Sequence, residues 1–158
     1  NKRQNLVKNV SKLNGITFYK GLGTLYDKTQ RVRQLASLIA DIIIANKGDA
    51  EIAASICKAD LVTDLVGEYP ELQGVIGKYF AISQGFSPEI ANAISEHYLP
   101  LGPSDKVPKD KIAICVALAD KLDTLIGFFG IGLKPTSSKD PFALRRAVLG
   151  VILSLIHI

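Results

Sequence analysis

Residues 115–127, CVALADKLDTLIG, hold two aspartates three positions apart inside an otherwise apolar run. A helix places side chains three and four apart on one face, so Asp120 and Asp123 lie nearly together, beside leucines that want burial. Extended outward, the same register gives a helix from about Asp110 to Phe129, with Ile112, Cys115, Leu118, Leu122, Leu125 and Phe129 facing in. Two readings of the aspartates remain open. They are metal ligands of a phosphohydrolase, or polar pins between helices of a scaffold with no chemistry of its own.

The neighbouring segments repeat the helical pattern. TLYDKTQRVRQLASLIADIIIANKG, from position 24, has Thr24 as N-cap, an apolar stripe through Leu25, Val32, Leu35, Ile39, Ile42 and Ile43, and Gly48 as a stop. Asp49 is expected to cap AEIAASICKADLVTDLV, which runs to Gly67 with Ile52, Ile56, Ala59 and Leu65 inward. Pro70 opens PELQGVIGKYFAISQG, whose Gly74 and Gly77 predict close helix–helix contact, since glycine otherwise weakens a helix. Ser87 and Pro88 start a helix ending at His97, and the proline-rich LPLGPSDKVPKD must be a loop. After a second loop, GIGLKPTSSK, Asp140 and Pro141 mark the start of DPFALRRAVLGVI. Only ITFY, from Ile16, offers a short strand. The expected class is all-α, a single domain over 1–158 of about six to seven helices, with 1–15 and 153–158 at the periphery.

The 158 residues suit one domain with a real core, and 47% apolar against 22% charged residues describe a globular rather than a disordered chain. A net charge of +4 permits a polyanion such as RNA as partner without demanding one. Cys57 and Cys115 sit in apolar helices and read as buried free thiols of a reducing cytosol. NKRQNLVKNV has no continuous apolar stretch, so no secretory leader is expected, and no run is long enough for a membrane span. The chain starts without methionine and stops within an apolar run, as expected of a piece of a longer protein.

Chemistry is sparse. The two histidines are His97, at a helix end where an imidazole can bond free carbonyls, and His157 in the tail. The sequence has no Cys-x-x-Cys, no His-Glu-x-x-His and no Walker-type phosphate loop; GLGT at Gly21 lacks the lysine and length of one. KPTSSKDPFALRR gathers Lys134, Lys139, Arg145 and Arg146 around a helix start that could receive a phosphate. Alternatively, Asp140 caps that helix and the arginines pair with acids such as Asp120, Asp123 or Glu68. Lys134 and Lys139 stay open as RNA-facing residues, with Arg146 beside them.

ADLVTDLVGEYPELQGVIGKYFA, AISEHYLPLGPSDKVP and VALADKLDTLIGFFGIGLKPTSSKDPFALRRAVLGVI, with DKTQRVRQLASLIA upstream, resemble the central part of the bacterial glycyl-tRNA synthetase beta subunit family. The resemblance covers about residues 18 to 152. It departs at Ser137, where that family usually has glycine, and after Ile152, where LSLIHI replaces a continuation with a basic residue. It implies a subunit of a cytoplasmic ligase joining glycine to tRNA(Gly) at the expense of ATP, assembled from two alpha and two beta chains. ATP would be used at the alpha subunit, so this part would carry no cofactor or metal and no catalytic residue. Its partners would be the alpha subunit, the remaining beta-chain domains and tRNA(Gly).

The segment also resembles a degenerate member of the HD superfamily of helical metal-dependent phosphohydrolases. That likeness puts Lys28 where a first histidine stood, Ala59-Asp60 at the His-Asp doublet, and Asp120 at the last aspartate. It implies a salt bridge from Lys28 to Asp60 and Asp120 in place of a metal. Asp123 is then expected to pin α-helices by meeting Arg145 or Arg146. The alternative it leaves is an active HD-type nucleotide phosphohydrolase.

Overall fold

A computed structural model describes residues 5–158. The chain is all-α: among the described residues, eight α-helices accompany one two-stranded hairpin. α1 (Leu6–Val10) and a 3-10 turn (Ser11–Gly15) lead into β1 (Thr17–Tyr19) and β2 (Gly23–Thr24), which pair antiparallel. α2 (Leu25–Ile43) and α3 (Lys47–Ile56) follow, then α4 (Asp64–Glu68), α5 (Val75–Ser83), α6 (Pro88–Glu96), α7 (Lys111–Gly130) and α8 (Leu144–Ile156).

The centre is α7, which packs against α2, α3, α6 and α8. From Ile112 to Ala119 every side chain is buried, so this stretch is apolar all round, as a helix enclosed by others must be. Asp110 starts it by accepting from the backbone of Ile112 at 2.9 Å. Near its other end the inward ring is Phe128, not Phe129, which is 43% exposed. Phe128 stacks on Phe142 with centroids 4.3 Å apart and meets Phe18 and Tyr19 edge-on, so the hairpin and the loop before α8 select the inner residue.

Several boundaries differ from the sequence reading; Pro70–Leu72 is a separate 3-10 turn and α5 starts only at Val75, after Gly74 at φ 77, while α8 starts at Leu144 and not at Asp140–Pro141. α2 begins as expected, in a reciprocal box where Thr24 N–H donates to Asp27 at 2.8 Å and Asp27 N–H donates to the Thr24 hydroxyl at 3.2 Å. It stops at Ile43, however, because Ile44 turns left-handed at φ 55. Gly48 is inside α3, and the cap is Asn46, which accepts from Asp49 N–H at 3.0 Å. The helix expected over 50–66 is broken into α3, a 3-10 turn (Ala59–Val62) and α4. The break is at Thr63, extended at φ −90 and ψ 147, whose hydroxyl donates to Asp60 O at 2.7 Å. This division, together with the short α1, brings the helix number among the described residues to eight, against the six or seven expected.

Of the termini expected at the edge, residues 1–4 lie outside the described residues, whereas Leu6 and Leu13 are fully buried. Helix α8 continues through LSLI to Ile156, with Ser154 buried and donating to Gly150 O at 2.8 Å. Both cysteines are free and buried. No helix among the described residues is long and apolar enough to cross a membrane.

Candidate functional site

Three elements deliver charge to one buried place. Lys28 from α2 and Lys58 from the end of α3 approach Asp120 and Asp123 on α7. Lys28 Nζ lies 3.1 Å from Asp120 Oδ1, an ionic contact outside hydrogen-bond alignment, and 3.0 Å from Asp123 Oδ2. It also donates to Thr124 Oγ1 at 2.9 Å. Lys58 Nζ donates to Asp120 Oδ2 at 3.1 Å, while Arg31 Nε donates to Asp123 Oδ1 at 2.6 Å. Lys121, from α7 itself, turns its ammonium to the carbonyls of Leu99 at 2.6 Å and His97 at 3.1 Å, at the end of α6. The aliphatic and aromatic walls complete the enclosure: Lys28 sits 4.6 Å over the Phe18 ring and Lys58 4.2 Å over Tyr98.

Burying charges is costly unless partners restore what water supplied. Here each ammonium has at least one carboxylate or two carbonyls, which makes the arrangement self-consistent. Burial by itself would raise the Asp120 carboxyl, but the Lys58 and Lys28 charges override it and hold the group well below the usual carboxylate range. Burial opposes the charge on Lys58, yet Asp120 beside it raises its affinity for the proton. Lys121 is pushed down to about 8 by burial, against the pull of Asp120. His97 is fully buried and pushed down to about 3, by burial first and by the Lys58 charge second, so its imidazole is neutral. Its Nδ1 bonds Ile94 O at 2.7 Å, the carbonyl contact expected of a histidine at a helix end.

Asp60 is not part of this cluster. Its Oδ2 accepts from Gly74 N–H at 2.6 Å and Gly77 N–H at 3.3 Å, which ties the 3-10 turn to the start of α5. Burial raises its carboxyl, with the two backbone donors opposing. The expected Lys28–Asp60 bridge is therefore replaced by Lys28–Asp123. Gly77 makes the contact possible: a Cβ there would stand 2.7 Å from Ile94 Cγ2 and 2.9 Å from Asp60 Oδ2, so its helical packing is close as expected.

Asp123 meets Arg31 and Lys28, not Arg145 or Arg146. Arg145 is exposed and donates to Thr136 O, and the backbone N–H groups of Leu144 and Arg145 donate to Asp140 at 2.8 and 2.9 Å. Lys134, Lys139 and Arg146 are exposed around the turn in which Lys139 N–H donates to Thr136 Oγ1 at 3.1 Å. The sequence reading missed Lys58, Arg31 and Lys121. Arg31 had a signal, since it follows Lys28 by three positions on one face of α2.

Among the described residues, no three His, Cys, Asp or Glu side chains converge in a way that would hold a metal ion. The family model for the glycyl-tRNA synthetase beta subunit matches residues 1–157. The chain is 53% identical over 146 residues, 90% of its length and 22% of the relative's, to a glycine–tRNA ligase beta subunit of Phenylobacterium zucineum. It is 54% identical over 140 residues to that of Rhodospirillum centenum, covering 87% of this chain and 20% of the relative. The same subunit of Acidithiobacillus ferrooxidans is 50% identical over 140 residues, 89% of this chain and 20% of the relative. The chain thus spans about a fifth of the length of the curated relatives it matches.

Proposed function

The chain belongs to the glycyl-tRNA synthetase beta subunit family, and from that membership we propose that it is a non-catalytic helical module of a glycine–tRNA ligase. It supports ATP-dependent attachment of glycine to tRNA(Gly) by recognising tRNA or by positioning neighbouring domains. ATP and glycine are handled by an alpha subunit, within a cytoplasmic assembly of two alpha and two beta chains, and this module needs no cofactor of its own. The degenerate HD-like positions Lys28, Asp60 and Asp120 serve structure in this reading.

One observation carries the non-catalytic part: both oxygens of Asp120 face lysine ammoniums at 3.1 Å, the positions a divalent ion would otherwise claim. A carboxylate so engaged is a poor metal ligand, which weighs against metal-dependent phosphohydrolase chemistry. The exposed Lys134, Lys139 and Arg146 supply the basic face for RNA.

The test is tRNA(Gly) binding by the full-length protein across a salt series, with Lys134→Gln and Lys139→Gln combined. An RNA-facing module loses affinity and its log–log salt slope falls by roughly one per phosphate contact removed. An unchanged slope and affinity identify the module as a spacer that touches no RNA.

A further inference from the structure

Between α2 and the last turns of α7, with the hairpin turn at one end, lies a groove of about 680 Å³. Leu22, Leu35, Leu38 and Ile126 are in its walls, and Leu38 and Ile126 are 59% and 64% exposed. Leu35, Leu38 and Ile42 stand three and four positions apart, one stripe of α2 that carries the apolar surface on to Ile42, 78% exposed. Gly127 lets Leu22 lie against α7, since a Cβ there would stand 3.2 Å from Leu22 Cδ1. A contiguous apolar face of this kind marks a surface that something covers.

The walls specify what enters. Their charges are already paired: Arg31 directs Nε and Nη2 to Asp123 at 2.6 and 3.3 Å, and Nη1 to the Leu22 carbonyl at 3.1 Å. Asp27 accepts from the Thr24 backbone at 2.8 Å and from its hydroxyl at 3.0 Å. The occupant is therefore apolar on the side that touches α2 and α7. Across Gln34 and Leu38 a second groove is polar, with Gln30, Arg33, Ser37 and Glu51 around it. There Arg33 and Ser37 both donate to Glu51, at 3.2 and 2.8 Å. An apolar trough beside a polar shelf, running along a helix, fits an amphipathic helix. Its apolar residues, three and four apart, lie in the trough, and its polar edge lies over Gln30 and Gln34.

We propose that this groove seats an amphipathic helix of the same beta chain, from the part outside residues 1–158. About four-fifths of each curated relative lies outside the matched region, so a full-length subunit has the length to supply one. A tethered helix meets the groove at an effective concentration on the order of millimolar, and a few apolar side chains then suffice to hold it. A separate chain lacks the tether and needs roughly 800 Å² on each side for a stable complex, more than four partly covered side chains offer. The inference rests on the domain-positioning half of the functional reading: the seated helix fixes α2 and α7 relative to the next domain.

The test labels the full-length protein with a thiol reagent under native conditions and reads each site by the mass of its peptide. Leu38→Cys and Ile126→Cys are compared with Ser137→Cys, in the exposed loop before α8. The two groove positions are expected to react roughly tenfold or more slowly than the loop position, without the alpha subunit and at every protein concentration. Reaction as fast as at the loop position overturns the proposal. So does protection that needs the alpha subunit or is lost on dilution, since the occupant is then another chain. In a second arm, Leu38→Glu and Ile126→Glu are combined; both positions are exposed, so the helices beneath keep their packing. Limited proteolysis is expected to open a new cleavage site outside residues 1–158, in a segment with apolar residues three and four apart. An unchanged cleavage pattern overturns the proposal. Free labelling beside intact, salt-dependent tRNA(Gly) binding removes this inference and leaves the tRNA-recognising reading standing. Protection beside tRNA binding that ignores Lys134→Gln and Lys139→Gln assigns the module to positioning alone.

Discussion

Lys58 Nζ lies 3.1 Å from Asp120 Oδ2, joining the end of α3 to the middle of α7 with only 9% and 14% of the two side chains exposed. With Lys28 on the other oxygen, the aspartate in the ADKLDTL segment is held between two helices by two cations. That is a structural role, and it makes several outcomes predictable.

Asp120→Asn removes the charge that both lysines share while keeping the shape. Breaking one partner of a buried ion pair leaves the other uncompensated, so stability should fall by about 3 kcal/mol, read from the urea midpoint at neutral pH. A midpoint within experimental scatter of the parent would mean that the lysines find other partners.

His97 makes stability depend on pH. Its folded pKa is about 3 against an ordinary 6.5, so its contribution is complete above about pH 6.5 and is lost as pH falls toward the folded value. Between about pH 6 and about pH 4 this one group should lower unfolding free energy by about 1.4 kcal/mol per pH unit. Asp120, also depressed, contributes in a lower window, below about pH 4, where the unfolded carboxylate begins to protonate. Unfolding free energy that is flat from pH 6.5 to 4.5 would show that His97 protonates freely in the folded chain.

Gly77→Ala sets two effects against each other. Alanine gains up to ~1 kcal/mol of helix propensity in α5. Its methyl, however, meets Ile94 Cγ2 at 2.7 Å and Asp60 Oδ2 at 2.9 Å, and forced overpacking costs about 1–3 kcal/mol. The net change should be destabilising by thermal melting. A raised melting temperature would show that α5 shifts away from α6 at little cost.

Cys57 and Cys115 should be silent in the native chain. Burial pushes their thiols up to about 12 and about 11, so the thiolate needed for exchange is scarce as well as covered. Thiol titration near pH 8 should find neither until denaturant is added. Rapid labelling of Cys57 in native conditions would show that α3 opens readily.

How much of this the sequence disclosed follows the range of each interaction. Thr24 and Ser87 cap their helices as expected because a cap needs only its own first turn. The end of α2 was hidden: the reversal is made by Ile44, a β-branched residue that rarely turns left-handed, while the obvious Gly48 belongs to the next helix. The break at Thr63 escaped notice because Asp60 turns toward Gly74 and Gly77, backbone donors that only the folded chain brings near. In the site, periodicity put Asp120 and Asp123 on one face, and the resemblance to degenerate phosphohydrolases brought Lys28 to Asp120. Their full set of partners did not follow, since Lys58 and Arg31 approach from helices far away in sequence.

The central claim is that the buried carboxylate exists to meet the lysines, and a double-mutant cycle on Lys58 and Asp120 tests it directly. Lys58→Met, Asp120→Leu and the pair together are compared with the parent by urea unfolding. The account predicts that each single change destabilises strongly and that the double variant recovers part of the loss, with a coupling of about 2 kcal/mol. Additive losses, with coupling below about 0.5 kcal/mol, would contradict it.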